Sequence, residues 1–353
     1  MKLPIIAGIQ QVGIGVRDAE EAWAWYRKHF DMNIPIFKDK ATASLMTRYT
    51  NDIAEDRFAI LAINGQGGGG FEIWQYTSKT PQPPKAQPSL GDTGVYAIKM
   101  KSRNIEKSFA HFESNGINTL GGLQTGPDGR QHFFVNDPYN NTFQVIEGNS
   151  WLKKNDSHSG GVFGCVIGVS DIDKALPLYQ SVLGYEEVTY DHTKVFNDFS
   201  GLPGESKKFR RALLKSKPGR CGAFSRLLGD TELELVEIID ETPNKIFENR
   251  YWGDLGFIHV CFDVHGMKQL GDACAENKFP FTVDSSNSFD MGKAAGHFTY
   301  CEDPDGTLIE FVETHKIPIM EKWGWYLNVK KRNPAKPLPD WLFTLLGLAK
   351  VKT

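Results

Sequence analysis

Apolar positions along this chain fall into short alternating runs separated by brief helical periods, and the pattern recurs. Ile9-Gln10-Gln11-Val12-Gly13-Ile14-Gly15-Val16-Arg17-Asp18 reads as an apolar strand ending on an Asp able to cap a helix. Residues 19–32 follow with Ala22, Trp25, Tyr26 and Phe30 at helical spacing. Val162-Phe163-Gly164-Cys165-Val166-Ile167-Gly168-Val169-Ser170-Asp171 repeats the strand and its cap. Residues 172–185 then repeat the helix with Ala175, Leu178, Tyr179 and Leu183. Superimposed, Asp18 matches Asp171, Ala22 matches Ala175 and Tyr26 matches Tyr179. Internal repetition decides the architecture before any single motif does.

A second pair recurs later in each half. Asp137-Pro138-Tyr139-Asn140-Asn141 leads into a strand through Thr142, Phe143, Gln144, Val145, Ile146 and Glu147. Asp303-Pro304-Asp305-Gly306 leads likewise into Thr307, Leu308, Ile309, Glu310, Phe311, Val312 and Glu313. Upstream, Gly94 to Met100 and Phe257 to Val264 read as strands, with helices predicted over Ile105 to Ser114 and Met267 to Asn277. The chain thus resolves into four modules of strand, helix and several strands, over 8–78, 93–148, 161–240 and 255–315. Two halves follow, 1–150 and 151–315, with links such as Thr80-Pro81-Gln82-Pro83-Pro84 and residues 153–161. A tail over 316–353 repeats nothing and is expected to be helical.

Composition narrows the class. The chain has 353 residues, 40% hydrophobic and 24% charged, which suits about two folded domains and excludes a disordered chain. A net charge of −3 gives no bulk attraction to nucleic acid or to an anionic membrane. The longest apolar run, Leu342 to Ala349, is far too short to span a bilayer, and the first residues do not read as a signal peptide. Five cysteines (Cys165, Cys221, Cys261, Cys274 and Cys301) lack any metal-type spacing and read as reduced thiols. The expectation is a cytoplasmic monomer or homodimer that handles a small molecule, with no nucleic-acid or membrane partner.

Four such modules, with Asp303-Pro304-Asp305-Gly306 before a strand bearing Glu310 and after Phe257-Ile258-His259-Val260, resemble the vicinal oxygen chelate superfamily. That group includes glyoxalase I, bleomycin-resistance proteins and extradiol dioxygenases. The resemblance covers 8–315 and implies an α+β fold: four βαβββ modules pairing into two curved, half-open, eight-stranded barrels, plus the tail. It also implies ligands from the first and last strand of each module. Carried over, these are Gln11 and Glu72, then Val95 and Gln144, then Gly164 and Glu234, then His259 and Glu310.

Module pairing decides which set can work. If the first module pairs with the fourth, Gln11, Glu72, His259 and Glu310 form a complete set, and Val95, Gln144, Gly164 and Glu234 form a dead one. If the third pairs with the fourth, the set is Glu234, His259 and Glu310 with Gly164 contributing nothing. The first arrangement is preferred, and it matches the Gln, Glu, His, Glu pattern of one glyoxalase I type. One imidazole, two carboxylates and an amide oxygen suit a divalent ion, with Zn, Ni, Co, Mn and Fe(II) all open.

By the same resemblance the expected chemistry is that of a metal-dependent isomerase or lyase. A substrate with two adjacent oxygens would lose a proton to give an enediolate, with Glu310 as base and Glu72 as its partner. Trp74 and Tyr76 share a strand face with Glu72 by period two, and His297 precedes the strand leading to Asp303, so all three are candidate substrate contacts. Where glyoxalase I holds the γ-glutamyl end of glutathione with Arg and Asn, this chain has Gly15 and Tyr76. Two other readings stay open. An Fe(II) extradiol or 2-oxoacid dioxygenase would need a second histidine where Gly164 stands, unless His158 or His192 is recruited; a bleomycin-resistance-like binder would need no metal.

Other features read as structure. Gly67-Gly68-Gly69-Gly70 lacks the Lys and the following helix of a nucleotide loop and reads as a flexible turn. Trp23, Trp25 and Tyr26 read as core, Glu234 as a solvated or hydrogen-bonded residue, and His132 as a neighbour of the dead site.

Overall fold

A computed structural model describes residues 4–153, 157–286, 289–290, 295–320 and 325–352. The first module is β1 (Ile5–Gly15), α1 (Ala19–Phe30), β2 (Ile34–Thr42), β3 (Asp56–Ile63) and β4 (Gly70–Tyr76). The second is β5 (Gly94–Ser102), α2 (Ile105–Ser114), β6 (Thr119–Thr125), β7 (Gln131–Asn136) and β8 (Thr142–Glu147). The third is β9 (Val162–Gly168), α3 (Ile172–Leu176), β10 (Glu187–Lys194), β11 (Phe209–Lys215), α4 (Ser225–Leu228) and β12 (Glu232–Ile238). The fourth is β13 (Gly256–His265), α5 (Met267–Glu276), β14 (Val283–Asp284), β15 (Phe289–Asp290), β16 (Ala295–Glu302) and β17 (Leu308–Met320). β18 (Trp325–Asn328) and α6 (Asp340–Leu346) complete the tail.

The predicted caps operate. Asp18 accepts from the amides of Glu20 and Glu21, and Asp171 from that of Lys174, satisfying donors that a helix start leaves open. After α3 the helix widens into a π-helical turn over Pro177–Val182, where Pro177 has no N–H to give.

Strands assemble into two sheets, each drawing on both halves of the sequence. One runs β14-β16-β17-β13-β1-β4-β3-β2, with β15 beside β16 and β18 beside β17; the other runs β10-β11-β12-β9-β5-β8-β7-β6. Module one therefore shares a sheet with module four, and module two with module three. The two modules within each half of the sequence, one with two and three with four, meet instead on the helix side. Tyr26 donates to Asp137 at 2.6 Å and Tyr179 to Asp303 at 2.9 Å, so each repeated helix Tyr holds the repeated turn Asp of the next module. Burial raises both carboxyls above their ordinary range, Asp303 to about 6.

One apolar core, including Ile9, Tyr26, Phe71, Phe143, Cys165, Tyr179, Phe262 and Ile309, runs through all four modules. Trp23 and Tyr26 lie in it and Trp25 packs against it. All five cysteines are free, four of them buried.

The glycine run after β3 is not the flexible turn its composition suggests. All four glycines are buried, and they form a seam between the sheets. Gly69 and Val162 exchange backbone hydrogen bonds of 2.6 and 2.9 Å, and Gly161 donates to Gly67. At Gly68, whose φ is +110°, a Cβ would lie 2.7 Å from the backbone of Gly161, so only glycine lets the two chains touch. In the tail, Leu338 and Phe343 pack with Ala7, Ile34, Ile63, Leu227 and Leu228. Residues 323–324 of the aromatic tail run, and 292–294 before His297, lie outside the described residues.

Candidate metal centre

Four contiguous central strands, in the order β17, β13, β1, β4, each deliver one donor. The antiparallel pairing of β1 with β13 sets Gly13 opposite His259 and Gln11 opposite Cys261. The parallel pairs set Glu72 beside Gly13 and Glu310 beside Cys261. Gln11 and His259 are thus related by the approximate twofold of the sheet, as are Glu72 and Glu310. His259 lies flat over Gly13: a Cβ there would fall 2.4 Å from the imidazole Cε1.

The side chains converge. His259 Nε2 is 3.0 Å from Glu310 Oε2 and 3.4 Å from Glu72 Oε2. Gln11 Nε2 donates to the same two oxygens at 3.5 and 3.3 Å. One ligand atom each from Glu72, His259 and Glu310 lies within 4.8 Å of the other two. Burial alone would lower the pKa of His259, but Glu310 and Glu72 outweigh it and raise it to about 9. Glu310 is held below its ordinary range, burial being overcome by His259.

The donor set fits a divalent cation. His259 Nε2 is buried and, despite two carboxylates nearby, makes no hydrogen bond. Two carboxylates balance a divalent charge that would otherwise be costly to bury. A half-turn of the Gln11 amide would present its oxygen in place of its nitrogen. The other imidazole nitrogen, Nδ1, is 3.4 Å from the hydroxyl of Tyr300. Accepting that N–H, the phenol would fix the tautomer that leaves Nε2 free for a metal.

The chain was compared with known proteins. A family model described as the Glyoxalase/Bleomycin resistance protein/Dioxygenase superfamily matches residues 8–145 and 162–311. The chain belongs to this superfamily. No curated protein matches it by sequence. Among solved structures it is similar to a single-substitution mutant of glyoxalase I from Zea mays, with a TM-score of 0.54 at 14% identity over 87% of this chain and 93% of that one. A putative dioxygenase from Bacillus subtilis subsp. subtilis str. 168 also scores 0.54, at 12% identity over 88% and 86% of the two chains. At such identities the likeness shows the fold.

Within this glyoxalase-superfamily cup, Trp74 and Tyr76 lie in an apolar cluster with Met46, Trp252 and Tyr300. Trp74 meets Tyr76 at 4.7 Å and Trp252 at 4.6 Å, ring centre to ring centre. The segment between β2 and β3 covers them. Its Tyr49 donates to Glu302 at 2.6 Å and lies as close to the hydroxyl of Thr282, tying it to module four. His297 is not brought to the donors. Its Nε2 meets Asp284 at 2.5 Å, and its neighbours Phe298 and Tyr300, on the alternate face, are the ones that pack in the cup.

The sequence reading missed Tyr300, Trp252 and Met46. Tyr300 was recoverable, because counting back across the Asp303 turn sets it directly opposite Glu310. Trp252 and Met46 lie on loops whose course no periodicity reports.

The second cup differs from its sequence reading in its register. Its register places Ala97, not Val95, at the position of His259, since Ala97 pairs with Val166 and Lys99 with Gln144. Of the two readings of Glu234, solvated or hydrogen-bonded, the second holds. It is buried and bonded by Lys99 Nζ at 2.7 Å, Arg211 Nε at 2.6 Å and Tyr190 at 2.7 Å. Lys99 also meets Glu232 at 2.8 Å, and Arg211 meets Asp198, which lies 3.4 Å from His132. Lys and Arg side chains stand here, whereas Glu72 and Glu310 of the first cup face the imidazole of His259. Neither His158, which stacks on His111, nor His192, which stacks on Tyr190 of β10, is among the donors around Glu72.

Two outcomes follow from this geometry. Gly13→Ala should cost about 1–3 kcal/mol in urea unfolding and should weaken divalent-ion binding by displacing His259; unchanged values in both would contradict the packing. In the second cup, burial would raise the pKa of Glu234, but Arg211 and Lys99 depress it far below its ordinary 4.5. A depressed folded pKa contributes stability that is present above the unfolded value and lost as pH falls through the folded one. The stability gap between wild type and Glu234→Gln should therefore be widest at neutral pH and narrow below 4.5; a gap independent of pH would contradict it.

Proposed function

We propose that this protein is a glyoxalase-like, metal-dependent isomerase or lyase acting on a small substrate with two adjacent oxygens. The observation that carries the reading is the meeting of Gln11, Glu72, His259 and Glu310, from strands at opposite ends of the sequence, around one orphaned imidazole nitrogen. A divalent ion held by these four would supply Lewis-acid stabilisation for charge developing on the substrate oxygens.

The protein's own groups supply the rest. Glu310, ionised beside His259, takes a proton from the substrate carbon and returns it to the next. Glu72, its counterpart across the twofold and the more exposed of the two acids at 14%, is placed to share that transfer. Tyr300, whose pKa is raised well above its ordinary value by burial and by the two glutamates, stays protonated and orients the imidazole. Trp74 and Trp252, packed edge to face and buried, exclude water from this side of the donors. The single imidazole favours this chemistry over an oxygenase, which pairs two histidines with one carboxylate.

The test uses protein purified without added metal and then loaded, assayed on hemithioacetals and α-hydroxyketones. The wild type should hold one divalent ion per chain and turn over at least one of these substrates. Glu310→Gln should retain much of the ion yet lose at least about 100-fold in turnover. Turnover near wild type would reject Glu310 as base, and a trace of metal only would favour a metal-free binder.

A further inference from the structure

We propose that the C-terminal segment docks this protein onto an anionic lipid surface. α6 and the turn that follows, over 340–349, are apolar on two faces. On one, Leu338 and Phe343 are buried against Ala7, Ile34 and Leu227, with Leu342 and Leu346 packed beside them. On the other, Trp341, Leu345 and Leu348 are 58%, 40% and 83% exposed. Their spacing of four and then three residues sets them in one stripe. Ile36, 41% exposed on β2, adds to the same region, because the backbone of Val351 bonds to Asn33 at 2.9 Å just before that strand. Large apolar side chains exposed together in one stripe mark a surface that meets something else.

Charge identifies what it meets. Residues 325–353 contain Lys330, Lys331, Arg332, Lys336, Lys350 and Lys352 against the single acid Asp340, in a chain whose net charge is −3. Asp340 is itself held by Arg226 at 2.7 Å. All the lysines are exposed. The overall charge conceals this local excess. A second copy of the chain seated here would bring two basic segments together, at a cost in like-charge repulsion. An anionic bilayer meets both requirements: its headgroups attract the lysines, and its interface takes up the exposed Trp341, Leu345 and Leu348.

The test is co-sedimentation of the full chain with phosphatidylcholine vesicles, with and without about a third phosphatidylserine. Binding is expected to the mixed vesicles only and is reversed by high salt. Lys350→Gln and Lys352→Gln should each lower it about fivefold. Leu348→Ser, at a position too exposed to threaten the fold, should lower it about tenfold. Three results would overturn the proposal: no binding to either vesicle, equal binding to both, or a dimer in sedimentation velocity that Leu348→Ser dissolves, which would make the stripe a contact between copies.

Discussion

The antiparallel pairing of β1 with β13 is the constraint on which the rest of this structure depends. It joins residues 5–15 to residues 256–265 and so closes the ends of the repeat region into one sheet. It fixes the twofold that sets Gln11 against Cys261 and Gly13 against His259. A slip of one residue would turn His259 to the opposite face, since side chains alternate along a strand. Gly13 guards the register sterically, because no larger residue leaves room for the imidazole.

The two cups show two answers to one electrostatic problem. Acids buried on neighbouring strands need positive charge close by. In the second cup the chain provides it: Lys99, Arg211 and Arg130 bond Glu232, Glu234, Asp198 and Asp128 at 2.6–2.9 Å. In the first cup Cys261 stands where Lys99 stands in the second, and the acids share an imidazole and an amide. On the proposed reading the first cup takes its positive charge from an external cation, whereas the second carries its own in Lys99, Arg130 and Arg211.

Much of the architecture was legible because it repeats. The Asp caps, the helix Tyr and the Asp-Pro turns recur at matching places, and the structure shows why: Tyr26 and Tyr179 bond Asp137 and Asp303. The candidate donors came from the family resemblance, which implies ligands on the first and last strand of each module; in this chain they are two acids, an amide and an imidazole on largely apolar strands. Val95 was taken for Ala97 because the misplaced module has no polar residue at the position to anchor its register. Lys99, Arg211 and Asp198 come from two modules and a loop, and an ion-pair network assembled over such distances leaves no periodic trace. The glycine run misled for a similar reason. Its purpose is contact with Gly161, almost a hundred residues away, and composition alone reports only freedom of the backbone.

The central claim is that strands from opposite ends of the chain gather one imidazole, two carboxylates and an amide around a single cation. X-ray absorption at the metal edge of the cobalt-loaded protein tests it most directly. One ordered ion per chain is expected, with a single imidazole in its shell and oxygen at the remaining positions. A shell with two or more imidazoles, or with sulfur, or no ordered ion at all, would contradict it.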